Sequence, residues 1–401
     1  MKLNITGSEL ENHLRPLRAI VRQSDEKNYD SIGLSITVED DGRKCLRAAI
    51  AQPTYDAFIC LNLSGAGADA DCNAGNEPID ADAVACSRDE LWVFARSALS
   101  AVNRSVGQLR ADYVATGSAL DVSLGEDASL HLDGMYRRKA LEYPDHDAIV
   151  ESDEALLYGT FMAGTLPEAL HTALAVSRLG GRSSNPMEQA VHLTLGADQL
   201  VVEALSMTAQ HEYRSETALA IDERCRVDQP VHVCISRDGA QVLSDMAAIS
   251  GGTVHWVYSR AQQMLMAWCQ PYVLRLDAQE VPDCVCTPVE PGARGMRIDT
   301  RAMRRAIQRA RNVGARVAEV VCHVSGMAEL VTPGRSVVMT LPSRCVGEGL
   351  TGQRTFRLPV NVVHAMMSGI LADEVVISFD DDSEYVVLET DLGVTNTISE
   401  V

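Results

Sequence analysis

The feature that most constrains this chain is an order of elements that comes round three times: a strand, a helix, a run of strands, a second helix and further strands. The middle copy shows it best. Thr165-Leu166-Pro167-Glu168-Ala169-Leu170 has capping-box spacing between Thr165 and Glu168, with Pro167 in the first turn. Leu170, Ala173 and Leu174 then form one apolar stripe, which predicts a helix running to about Arg182. Strand patterns follow across 190–220 and 231–235. A second helix is expected from Ser236, carrying Val242, Leu243, Met246 and Ile249, and strands return over 253–276.

The first copy opens with an alternating strand over 1–7 and a helix from the Ser8/Glu11 capping box, with Leu10, Leu14, Leu17 and Val21 on one face. Alternation from Tyr29 to Leu63 predicts strands, and the Gly-, Ala- and Asp-rich stretch 65–76 a loop. The Ser87/Glu90 spacing, with Leu91, Phe94, Ala98 and Val102, predicts the second helix, before strands over 109–141. The third copy starts at Met296. Its first helix has Met303, Ile307 and Ala310 on one side and Arg301, Arg304, Arg305, Arg309 and Arg311 around the rest. Strands over 318–358, a helix over 359–371 and strands from Glu374 complete it. Ser87-Arg88-Asp89 recurs as Ser236-Arg237-Asp238, and Tyr143-Pro144-Asp145 is echoed by Val281-Pro282-Asp283. The expected domains are residues 1–150, 151–292 and 293–401 of an α+β chain.

Charge and composition narrow the function. Aromatic residues are 4% of the 401, so the cores rest on Leu, Val, Ile, Ala and Met. A net charge of −20 argues against a simple basic nucleic-acid binder, but not against a basic surface enclosed in an acidic shell. There is no apolar run long enough to span a membrane and no secretory leader, so a cytoplasmic location with reduced thiols is expected. Cys284-Val285-Cys286 lacks a second pair, and the histidines have no zinc spacing, so no metal and no cofactor are expected. Asp380-Asp381-Asp382-Ser383 reads as a hairpin turn, and Gly180-Gly181 as a helix stop. No nucleophile-and-base arrangement has local support, so no catalysis is expected.

At this point the chain resembles the bacterial β sliding clamp family, the processivity subunits of replicative DNA polymerases. The resemblance rests on the threefold order, on His13-Leu14-Arg15-Pro16-Leu17, on Thr165-Leu166-Pro167 opening the second copy, and on the Pro-Asp closures at 144–145 and 282–283. It covers nearly the whole chain and implies three repeated sliding-clamp domains in a head-to-tail homodimeric ring. Helices would line a central hole and antiparallel sheets the outside. Such a ring encircles double-stranded DNA without reading sequence, is opened by a clamp loader, and tethers the replicative polymerase and other proteins through short peptides.

The DNA-facing charge would then come from Arg15, Arg18, Arg22, Arg301, Arg304, Arg305 and Arg309, with Arg88, Arg104, Arg178, Arg182 and Arg237 near helix ends. The resemblance places a partner-peptide pocket at Val191, Leu205, Met207, Thr208, Pro282, Cys286, Thr287, Val362, Thr397, Ile398 and Ser399. Here the sequence departs from the family: Ser206-Met207-Thr208-Ala209 replaces an Asp-Gly-His-Arg-like turn, and Thr397-Ile398-Ser399 a Met-Pro-Met ending. Those departures motivate the alternative, a clamp-fold interaction scaffold that does not encircle DNA.

Overall fold

The computed structural model describes residues 2–6, 31–38, 44–51, 54–62, 89–94, 110–116, 119–124, 128–133, 136–139, 155–162, 165–179, 190–196, 199–207, 212–220, 230–250, 253–269, 272–281, 292–348, 350–380, 385–391 and 394–399. The expected helix after Ser8, the 65–76 loop, the Pro-Asp closures, Cys284-Val285-Cys286, Gly180-Gly181 and Asp381–Ser383 lie outside them. The chain divides into two compact units, Met1–Glu151 with Met266–Leu276, and Ser152–Leu265 with Asp277–Val401.

One strand plan appears in three places. Three sequential strands form an antiparallel meander, and a fourth returns to pair with the first. The triplets are 31–38, 44–51 and 55–62; 190–195, 199–207 and 212–220; and 317–322, 328–331 and 338–341. The returning strands are Asp89–Phe94, Val231–Ser236 and Arg354–Pro359. Alternation of buried and part-exposed residues, as in Val231–Ser236, is what a sheet covered on one face requires.

The returning strand of the first unit corrects the sequence reading. Asp89–Phe94 was expected to open a helix, yet it pairs with Ser31–Leu34 on one side and Tyr136–Lys139 on the other. Leu91, Trp92, Val93 and Phe94 are strand-forming residue types, and two flanking partners outweigh a local capping signal. The recurring Ser-Arg-Asp therefore does not mark equivalent places. Asp89 opens a returning strand, whereas Ser236 ends one and Arg237 starts a helix.

The second unit carries four described helices: α1 (Leu166–Ser177), α2 (Arg237–Ser250), α3 (Thr300–Asn312) and α4 (Val360–Gly369). They pack in the order α2–α1–α4–α3. α1 is apolar nearly all round and buried to match, from Leu166 to Val176, and it lies against the strands 199–207 and 212–220. It stops at Ser177, short of the expected Arg182. Its anticipated capping box does not form: Thr165 makes no side-chain cap, and Glu168, 2% exposed, turns to another partner. α2 has the cap its sequence suggests, with Ser236 Oγ accepting the Gly239 N–H at 3.0 Å.

A seam of strand pairing occurs twice. In the first unit Tyr55–Ile59 pairs antiparallel with Tyr272–Leu276, and Asp56 is ion-paired to Arg275 directly opposite. In the second unit Tyr213–Thr217 pairs in the same way with Val394–Ile398. The corresponding third-copy strand, Val338–Leu341, is the last in its sheet, as is Ala128–Asp133 in the sheet 2–6, 110–116, 119–124, 128–133.

Candidate nucleic-acid interface

α3 concentrates the charge. Asp299 caps it, its Oδ1 accepting the Ala302 N–H at 2.6 Å. Gly314, at φ +75°, ends it, with Ala315 N–H reaching back to the Ala310 carbonyl at 3.0 Å. Ala302, Met303, Ala306, Ile307 and Ala310 are buried, which turns the arginines outward. Arg301, Arg305, Arg309 and Arg311 are exposed. Among the described residues Arg301 meets an exposed Asp373 at 3.9 Å, a contact that screening makes weak. Arg309 and Arg311 sit in the last turn, where a cation suits the helix dipole. Arg311 lies 3.4 Å from the His364 ring of α4, whose Nε2 is 2.8 Å from Gln308 Oε1. Burial, then Arg311, hold the His364 pKa below its ordinary value, so the ring is neutral at pH 7.

Arg304 is placed differently. It is half-buried, and its Nε donates to the Met367 carbonyl at 2.7 Å. Burial favours loss of its proton, and Glu168 opposes that. Its Nε is committed to the protein, and one of its terminal nitrogens is buried without a hydrogen-bond partner among the described residues.

Arg178 and Arg237 are brought together where α1 ends and α2 begins. Arg237 donates to the Ser177 carbonyl, one of the acceptors a helix terminus leaves open, and Arg178 reaches Gln241 at 3.2 Å. Burial and then the neighbouring Arg178 favour loss of the Arg237 proton, against Asp238. Asp238 and Asp245 share these helices, so their surface is mixed in sign where that of α3 is not. Every cationic side chain after Lys139, histidines aside, is arginine, the type with a planar fork suited to phosphate oxygens. Arg15, Arg18, Arg22, Arg88, Arg104 and Arg182 lie outside the described residues.

Four of the pocket residues, Val191, Leu205, Thr397 and Ile398, fall on two faces of one sheet. Strand register aligns Leu205 with Arg214 and Arg214 with Thr397, so these share a face. Ser206, Tyr213 and Ile398 share the opposite one. Val191 belongs with Ile398, and both are fully buried. Beside Leu205 and Thr397, Arg214 donates to Glu203 at 2.8 Å and is also paired with Glu216. Burial pushes the Glu216 pKa up, with Arg214 pulling it down. Sequence reasoning missed this ionic cluster, although the period-2 pattern of Glu203, Leu205, Arg214 and Glu216 could have shown their common face. Val362 lies on α4, 7% exposed. Thr208, Pro282, Cys286 and Thr287 lie outside the described residues, as do the side chains of Met207 and Ser399. Among the described residues no group of three or more His, Cys, Asp or Glu could hold a metal ion, and no helix is long and apolar enough to cross a membrane.

No protein-family model matches the sequence, and no curated protein matches it. Solved structures do match, over the full length. The DNA polymerase III subunit beta of Pseudomonas aeruginosa has a TM-score of 0.69 at 14% identity, covering 100% of both chains. The DNA polymerase III beta subunit of Thermotoga maritima gives 0.68 at 13%, covering 100% of this chain and 99% of that one. The Helicobacter pylori beta clamp, solved bound to a DNA ligase peptide, gives 0.67 at 11%, covering 100% of both chains. At these identities the likeness is one of fold: the chain has the α+β sliding-clamp fold from end to end.

Proposed function

We propose that this chain is a divergent DNA sliding clamp, a non-catalytic processivity factor that encircles duplex DNA and tethers DNA-processing proteins to it. The observation that carries the reading is α3. A chain of net charge −20 gathers four exposed arginines on one helix whose other side is fully apolar. Phosphate contacts from such a face attract DNA without reading bases, and an acidic remainder discourages binding elsewhere. Full-length likeness to clamps supports the same reading.

The ring is proposed to have three clamp domains per chain, bounded at about 1–150, 151–292 and 293–401, and two chains per ring. The two strand seams among the described residues, and the sheet-end strands Val338–Leu341 and Ala128–Asp133, support it. Val338–Leu341 of one copy would pair with Ala128–Asp133 of the next, twice, closing head to tail. The polymerase, its loader and other partners would attach through peptides at Leu205 and Thr397.

The arginines most suited to DNA are Arg301, Arg305 and Arg309. In an equilibrium titration, each phosphate neutralised contributes about 0.9 to the slope of log affinity against log salt. Replacing these three by Ala is expected to flatten that slope while leaving helix content unchanged. An unaltered slope would remove α3 from the DNA surface. Wild-type chain indifferent to DNA at low salt would favour the scaffold reading.

A further inference from the structure

The three helices α1, α3 and α4 meet at a charged contact that neither the sequence nor the function above explains. Glu168 of α1 is 2% exposed, and an unpaired carboxylate there would be costly. Its Oε1 accepts the Leu371 N–H at 2.8 Å, with the Ala372 N–H also directed at the carboxylate. These two amides immediately follow α4. From the other side Arg304 of α3 donates to the Met367 carbonyl in the last turn of α4, and its charge faces Glu168. The tail of α4 is thus gripped by a carboxylate from the second copy and a guanidinium from its own. The packing beside it leaves no slack. A Cβ on Gly369 would come within 2.7 Å of Thr172 Oγ1 and 2.8 Å of Thr172 N, and the Thr172 hydroxyl is itself fixed to the Glu168 carbonyl at 2.9 Å.

We infer that Glu168 and Arg304 are positioning residues that clasp the second copy of the fold to the third and so fix the direction in which α3 presents its exposed arginines. Arg304 then works as part of the frame, not as a DNA contact. The geometry has the property a clasp needs. Both charged groups act on backbone atoms at one helix end: Glu168 ties α1 to the tail of α4, and Arg304 ties α3 to it. The consequence for DNA rests on the clamp reading; the clasp itself does not.

The test uses the full-length chain and the variants Glu168→Ala and Glu168→Gln. Site-resolved hydrogen exchange reads the Leu371 and Ala372 amides, and the salt slope of DNA affinity reads the presentation of α3. Glu168→Ala is expected to speed exchange at those two amides by about tenfold or more, while amides in the strand 317–322 stay as protected as before. It is also expected to flatten the salt slope although no exposed arginine has been removed. Glu168→Gln keeps an acceptor of the same shape and is expected to restore most of both. Should Glu168→Ala fail to fold, Gly369→Ala, which pushes α4 off Thr172, is expected to speed the same amides. Unchanged exchange at Leu371 and Ala372 in every folded variant overturns the clasp. Faster exchange with an unchanged salt slope overturns the positioning role and leaves the clamp reading standing. Wild-type chain with no salt-dependent DNA affinity defeats the clamp reading, and the exchange result still decides the clasp.

Discussion

Individual buried charges in this chain behave in ways that residue type alone does not reveal. Glu168 looks like the closing member of a capping box and is instead a ligand for backbone amides two hundred residues away in sequence. Burial is the largest influence on its pKa and raises it above the ordinary 4.5 despite two N–H donors and Arg304. The sign of the linkage follows. A carboxyl whose folded pKa lies above its unfolded one favours the native state below about 4.5, and that contribution is lost as pH rises through the folded value. Glu168→Gln, which cannot ionise, should therefore gain thermal stability relative to wild type as pH is raised from 4 to 8, read as a widening Tm difference. A difference that is flat with pH would show that the carboxylate is not held above its unfolded pKa. Arg214 is the opposite case, a guanidinium with 4% side-chain exposure between Glu203 and Glu216. Arg214→Ala strands a buried carboxylate and should cost about 3–5 kcal/mol in denaturant unfolding. A loss below about 1 kcal/mol would mean the site relaxes into water.

At the scale of elements, legibility tracked how local the signal was. α3 could be read directly, because the apolar stripe of Met303, Ile307 and Ala310 and the arginines around it lie within a few turns of one another. Asp299→Ala should cost about 1 kcal/mol by loss of the N-cap, measured by chemical denaturation, with a negligible change arguing that Asp299 does not hold the first turn. The meanders were legible too, since alternation is a property of neighbouring residues. Asp89–Phe94 was not, because what makes it a strand is two partners distant in sequence, and a period of a few residues cannot report them. The candidate site shows the same divide. The exposed side of α3 followed from its period, but the commitment of Arg304 to Met367 and the separation of Val191 and Ile398 from Leu205 and Thr397 depend on register between strands and helices. Short identities misled for this reason as well: Ser-Arg-Asp recurs, but on opposite sides of a returning strand.

For the whole molecule, the repeated plan is what gives a chain so poor in aromatic residues and so acidic a definite architecture. Two seams among the described residues, and the end strands Val338–Leu341 and Ala128–Asp133, motivate the proposed pairing with a second copy of the chain. The Thr332 N–H bonds the Val337 carbonyl, which sets the parity of the ladder so that the Val338 and Thr340 N–H groups point to the open side. Thr340→Pro removes an outward donor without breaking an internal one and is tolerated at an edge. It should convert a particle of two chains to one of a single chain in a solution mass measurement, with helix content preserved; a persistent dimer would move the interface elsewhere. The most direct test of the whole account is retention on DNA of two topologies. Closed around DNA at low salt and then challenged with high salt, the protein should stay on a covalently closed circle and leave once the circle is cut. Equal dissociation from the intact and the cut molecule would contradict encirclement.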